Sequence, residues 1–406
     1  MTAASQAHQQ AHQQATLPAG GGRLLALDLF RGLTILLMVI VNSPDLTGQW
    51  HHAYWDGATI ADWVFPWFLL IVGVSLAVNE PKMRQQRQLL GDGALLWGIA
   101  KRTLQLFALG LLVNLFYTDF SAVRVLGVLQ RIAIVYFCCA VLLMYLSRQA
   151  ILTLGVVLLL GYWALLSFVQ FPGAVVGDLS RGNTVVNLFD QHFLPGKLWR
   201  GHWDPEGLLS TLPSIVTGIT GLWAGWLLQG VTALPPAQAQ TQSQAFRRWV
   251  QLFAAGVLLS LLGYGWSQDS WLGSYALPLI KQIWTSSFVL YTSGLGFIGF
   301  VLLQVFYQQA GSRLWAEPVV YLLKVLGMNA TVLYLWHVVL HYLLTQNWWW
   351  HLNGTAPDRA LSFYGWLKQT SAGPAGTVTA WYLLIFITLS ILPNFWLYQR
   401  RIFIKL

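Results

Sequence analysis

The chain has 406 residues, a formal charge of +9, 56% apolar residues and only 9% charged ones. Soluble domains carry about 25% charged residues, so this composition excludes an ordinary soluble fold. Ten apolar runs able to cross a hydrocarbon core of about 30 Å recur along it.

In chain order they fall at roughly 25–42, 60–78, 97–116, 125–146, 150–169, 207–228, 249–266, 285–306, 319–345 and 379–397. The fold class is therefore all-α: a polytopic transmembrane helical bundle of about ten spans, occupying residues 23–406 within a lipid bilayer. Residues 1–22, rich in Gln, Ala and His, read as a disordered cytoplasmic tail without the layout of a cleaved signal peptide. Cys138 and Cys139 are adjacent inside the fourth run and pack as small apolar residues.

Lys and Arg gather on one side of this topology, which the positive-inside rule assigns to the cytoplasm together with both termini. Arg23, Arg84, Arg87, Arg148, Arg247, Arg248, Arg313, Arg400, Arg401 and Lys405 map there, whereas Asp45, Asp56, Asp119, Asp178, Asp190, Asp204, Glu206 and Asp358 map to the other side. The net positive charge is thus a topology signal, and no nucleic-acid partner is expected.

The first span opens with Asp28 and Arg31, three residues apart and so on one helix face. They form either a boundary ion pair or, with Lys101, Arg102 and Lys324 at similar depth, an anchor for a phosphate-bearing ligand entering from the cytoplasm. The turn after this span is the richest segment of the chain. Residues 42–57 contain Asn42, Asp45, His51, His52, Trp55 and Asp56 between two membrane spans. Histidine exchanges a proton near neutral pH, and a neighbouring carboxylate can orient its ring. A connector needs none of this, so the turn is predicted to catalyse or to capture a ligand.

Asp62, in the outermost turn of the second span, is expected beside His52 or Asp56, with Pro66 kinking the helix after it. Arg131 in the fourth span should face the bundle interior with a partner. Asp204-Pro-Glu-Gly207 reads as the capped start of the sixth span. In the ninth span, Asn329, His337 and His341 are expected to line an outer cavity. The two histidines lack a third ligand, so no metal site is predicted. Residues 346–378 carry Trp348, Trp349, Trp350, Tyr364 and Trp366 and suit a lid over the outer face.

Several motifs resemble one family when taken in order: Leu27-Asp-Leu-Phe-Arg-Gly-Leu-Thr34, Val41-Asn42, His52-Ala-x-Trp-x-Gly57, Ala61-Asp-x-Val-Phe-Pro-Trp-Phe68, Gly127-Val-Leu-Gln-Arg131, Asp204-Pro-Glu-Gly207, Lys281-x-x-Trp284 and Gly327-Met-Asn329. They are similar to the membrane-embedded heparan-α-glucosaminide N-acetyltransferases and their bacterial relatives. The resemblance implies transfer of acetyl from cytoplasmic acetyl-CoA to the amine of a glucosamine-type sugar across a bacterial inner membrane. It makes His52 the catalytic residue, as general base or acetyl carrier, and puts Asn42 in the same active site. Asp45, Asp56, Asp62, Trp55, His337 and Asn329 are then supporting or substrate-binding residues, and Arg31, Lys101, Arg102 and Lys324 bind the CoA phosphates. It also permits a homodimer. An amino-sugar or N-acetylglucosamine permease is the alternative. The sequence departs from the family pattern at Val338, where an acid is expected, and at Pro44 and Asp45 in the turn.

Overall fold

A computed structural model describes residues 24–116, 123–199, 201–229, 239–310, 316–346, 362–370 and 375–404. The tail before residue 23, Asp119, Arg200, Arg313, Trp348, Trp349, Trp350, Asp358 and Arg359 lie outside the described residues. The described residues form helices joined by turns, with only two isolated β-bridges.

The helices are α1 (Leu25–Val41), α2 (Ile60–Leu90), α3 (Asp92–Leu115), α4 (Val128–Tyr145), α5 (Arg148–Phe168), α6 (Val185–Phe193), α7 (Thr211–Leu228), α8 (Ala239–Trp266), α9 (Ser286–Ala310), α10 (Ala316–Met328), α11 (Ala330–Thr345), α12 (Phe363–Thr370) and α13 (Ala375–Gln399). Eight of them are long and apolar enough to cross a membrane, and α10 and α11 are so only when taken together, as a broken span or a re-entrant loop. Helix α1, with 17 residues and a length of about 26 Å, stands at the short end of the spanning range.

At the centre lie α2 and α7, each with 72% of its apolar stretch buried, against 17% for α3. A Cβ added at Gly73 would come within 2.0 Å of the Gly218 carbonyl oxygen, and one at Gly221 within 2.2 Å of that of Leu70. The two backbones therefore touch along a small-residue face, the packing that apolar solvent favours because lipid supplies no hydrophobic drive between helices. Apolar side chains of α2 then reach three separate core clusters, so this helix carries its first turn to a fixed place in the molecule.

The stretch expected as one span at 319–345 is instead broken. Helices α10 and α11 meet at 84° across Asn329. Hydropathy is continuous there, so the break is a tertiary effect. Asn394 from α13 donates to the carbonyls of Leu326 and Asn329, and Arg31 reaches that of Gly327. These side chains satisfy backbone groups that the break frees. The start of the sixth span also differs. Helix α7 begins at Thr211 with no side-chain cap, and Asp204 and Glu206 are not its capping residues. Both carboxylates instead clamp the buried guanidinium of Arg124. Burial alone would lower the Arg124 pKa, but the two carboxylates outweigh it and hold the guanidinium charged.

Candidate active site

The residues 42–59 fold as a turn pinned at several points to the segment 279–285. Gly57 donates its N–H to the Leu279 carbonyl at 2.9 Å, a bond made with Gly57 at φ +100°, where a side chain would be strained. The Gln282 side-chain amide donates to the carbonyls of Ala53 and Tyr54. Segment 279–285 is itself braced. Tyr162 of α5 donates to the Ile283 carbonyl, and the Trp284 indole donates to Thr217 of α7.

Asp62 joins helix and turn. It sits at the third position of α2, where its Oδ2 accepts from the Thr59 N–H at 3.1 Å, from the Thr59 hydroxyl at 2.9 Å and from the Ala53 N–H at 3.0 Å. The first of these is the side-chain half of a capping box. Oδ1 lies 2.9 Å from Nδ1 of His52 and 3.2 Å from Nζ of Lys281. The side chain is fully buried, and every direction around it is taken by a donor. Such a carboxylate accepts only and the Lys281 ammonium donates only, so hydrogen on Nδ1 goes with Lys281 donating to Asp62 Oδ1 and not to the ring, an arrangement the 3.2 Å contact allows. Nε2 keeps its lone pair.

The His52 side chain is 42% exposed and lines an open pocket of about 430 Å³ with Leu46, Thr47, Gly48, His51, Ala53 and Thr59. Lys281 Nζ lies 3.0 Å from Nδ1. That positive charge, aided by burial, holds the His52 pKa below its ordinary 6.5, against the pull of Asp62 and with a smaller push from His51. The arrangement is a neutral imidazole, fixed at one nitrogen and open at the other, as a proton acceptor or nucleophile requires.

The other expected residues divide among several contacts. Asn42, at the end of α1, donates to Nε2 of His337 at 3.2 Å, while His337 Nδ1 donates to the Tyr334 carbonyl. Among the described residues no hydrogen bond links Asn42 to His52. Asp45 accepts from the Tyr364 hydroxyl at 2.6 Å and pairs with Lys368, which holds its carboxyl below the usual value. Helix α12, in the segment expected as a lid, is thereby tied to the turn. Trp55 donates to the Leu179 carbonyl and packs edge-on against Trp203. Asp56 is exposed and makes no hydrogen bond among the described residues. Asn329 is fully buried, and its amide bonds the backbone of Ile402 and Ile404, a structural task.

At the far end, Arg31 contacts Asp28 at 3.3 Å and Ser75 at 3.1 Å. Lys324 lies on α10, which packs directly on α1. Lys101 and Arg102 are exposed on α3, with the Arg102 guanidinium over the Tyr136 ring. Arg31 lies eleven residues before Asn42 along α1, about 16 Å of helix. Reasoning from sequence missed Lys281 as a site residue. Its only local signal was a basic residue three before a tryptophan, 229 positions from His52.

Fold and site together define a polytopic helical membrane protein with a histidine held between a carboxylate and an ammonium at one end of its bundle. Residues 23–189 match the family model described as heparan-alpha-glucosaminide N-acetyltransferase, catalytic. The chain is 28% identical to the heparan-alpha-glucosaminide N-acetyltransferase of Homo sapiens over 379 residues, 80% of this chain and 54% of that protein. It is 28% identical to that of Mus musculus over 392 residues, 83% of this chain and 56% of that protein. The chain spans about half the length of the curated relatives it matches. These matches support its membership in the heparan-alpha-glucosaminide N-acetyltransferase family. The matched stretch contains Asn42, His52 and Asp62, but not Lys281.

Proposed function

We propose that the chain is a membrane-embedded N-acetyltransferase. It takes acetyl from cytoplasmic acetyl-CoA and delivers it to the amine of a glucosamine-type sugar at the opposite, outer face of a bacterial inner membrane. The observation that carries this reading is His52: Nδ1 is held by Asp62, Nε2 is open, and the residue falls inside the stretch matched to the family's catalytic region.

An amine attacks a thioester only after losing a proton. In the direct route its nitrogen bonds to the acetyl carbonyl carbon, His52 Nε2 accepts the amine proton, the carbon–sulfur bond breaks with CoA leaving as its thiolate, and His52 returns the proton to the sulfur. In the two-step route Nε2 bonds to the acetyl carbon as the carbon–sulfur bond breaks and CoA leaves as its thiolate, and the amine then displaces the imidazole from the acetyl group, its proton passing to the thiolate. Asp62 serves both by holding the ring. Asn42, whose amide donates to His337, takes in this reading the part of oxyanion donor, a contribution worth about 3 kcal/mol for a single donor. Arg31, Lys101, Arg102 and Lys324 are assigned to the CoA phosphates.

The test is incubation of the purified protein with labelled acetyl-CoA and a panel of amino sugars. Label in an N-acetyl sugar supports the reading. Sugar movement across vesicles without CoA, and no labelled product, would replace it with a permease.

A further inference from the structure

The segment carrying Lys281 is built to present that one side chain. Residues Lys281–Ile283 form a single 3-10 turn that ends at Trp284, whose backbone is left-handed at φ 54° and ψ 52°. A bulky residue adopts that region only when its surroundings over-determine it. Here they do. The Trp284 side chain is 1% exposed, edge-on to Phe65 at 5.1 Å and to Phe288 at 5.5 Å, under the Arg131 guanidinium at 5.1 Å, and bonded to Thr217. Gln282, the next residue after Lys281, clamps the carbonyls of the catalytic turn. Lys281 is 14% exposed and points at the one ring nitrogen that Asp62 also holds.

The charged and titratable groups facing the His52 ring are Asp62 from α2, Lys281 from this segment and His51 from its own turn. Asp62 alone would favour an imidazolium, because an opposite charge in contact stabilises the protonated ring. An imidazolium has no lone pair with which to accept a proton or an acetyl group. We infer that Lys281 is a positioning residue that cancels this effect, leaving Asp62 to orient the ring while His52 stays neutral and open at Nε2. The inference rests on the reading of His52 as proton acceptor or acetyl carrier, but it can be tested without acetyl transfer.

The full-length protein is titrated with diethyl pyrocarbonate across the pH range, because that reagent modifies only the unprotonated imidazole. The fraction of His52 carrying the ethoxyformyl group is read by tandem mass spectrometry, which separates it from His51. The wild-type midpoint is expected below the ordinary value of about 6.5. Lys281→Gln should raise it beyond 6.5, by about 1–3 units in all, and Lys281→Arg should restore it. A wild-type midpoint at or above 6.5 overturns the proposal without any variant. So does a Lys281→Gln midpoint that stops at the ordinary value, which reports a loosened turn, or a Lys281→Arg midpoint raised as far as that of Lys281→Gln. Failure of acetyl transfer with these shifts intact would sink the enzyme reading and leave the role of Lys281 standing.

Discussion

The 2.9 Å contact between Asp62 Oδ1 and His52 Nδ1 joins the first turn of a central helix to the loop that precedes it. One carboxylate both caps α2 and orients the imidazole, so the position of the ring is inherited from the packing of one of the two central, most buried spans among the described residues. The site is therefore pre-organised by the fold.

A pH dependence follows from the electrostatics of the ring. The Lys281 charge and burial hold the His52 pKa below 6.5, so the reactive neutral form persists as pH falls to that value. The turnover profile should therefore have its acid half-point below the ordinary histidine value of about 6.5. A rate profile at saturating acetyl-CoA and amino sugar measures this. A half-point above 6.5 would contradict it.

Donor binding should depend on the cations proposed to hold the CoA phosphates. Removing charge at Arg102 or Lys324, as in Arg102→Gln or Lys324→Gln, is expected to weaken acetyl-CoA binding several-fold with the fold intact. Isothermal titration checks the first part and thermal unfolding the second. Undiminished binding in both variants would place the phosphates elsewhere.

Helix α1 packs on α10 with no room between them. A Cβ at Gly327 would stand 1.9 Å from the Asp28 carbonyl oxygen, and one at Gly32 would stand 1.9 Å from that of Leu323. Backbone atoms cannot swing aside, so Gly327→Ala should destabilise by about 1–3 kcal/mol or more. Gly98→Ala on the exposed α3, with nothing within 4 Å, should instead be neutral or slightly stabilising. Detergent-phase melting curves of the two variants make the comparison.

Asp190 gives a stability signature. Its carboxyl is buried with Oδ2 unpartnered, and burial pushes its pKa up to about 7 despite bonds from the backbone at Leu208 and the nearby Arg131 charge. A pKa raised above the unfolded value of 3.8 favours the protonated form in the fold. The stabilisation is complete below 3.8 and is lost as pH rises through about 7. Between about pH 6 and pH 8 the wild type should therefore lose more thermal stability than Asp190→Asn. Parallel curves would contradict this.

Much of this molecule was legible in its sequence because the membrane imposes a simple code. Continuous apolar runs marked the spans, and Asp62 was placed near His52 because only ten residues of turn and helix separate them. The rest depended on partners distant in sequence. The pattern Asp204-Pro-Glu-Gly207 looks like a helix start, yet its carboxylates answer Arg124, which lies 80 residues earlier. Nothing in the hydropathy of 319–345 announces the break at Asn329, where the freed carbonyls are met by side chains from α1 and α13. Lys281 stood in the sequence only as part of the Lys281-x-x-Trp284 motif, and nothing local tied it to His52, 229 positions away.

The central claim is that His52 is the residue through which acetyl transfer runs. The most direct measurement is turnover of His52→Ala and His51→Ala at saturating acetyl-CoA and amino sugar, with folding and CoA binding checked separately. His52→Ala should lose at least about 10²–10⁴-fold, the usual cost of a missing general base, while still binding CoA. His51→Ala should retain substantial activity, because His51 is exposed and its hydrogen bonds among the described residues are made by its backbone, the N–H to Gly48 and the carbonyl from Thr59. Near-normal turnover by His52→Ala, or a strong loss confined to His51→Ala, would contradict the claim.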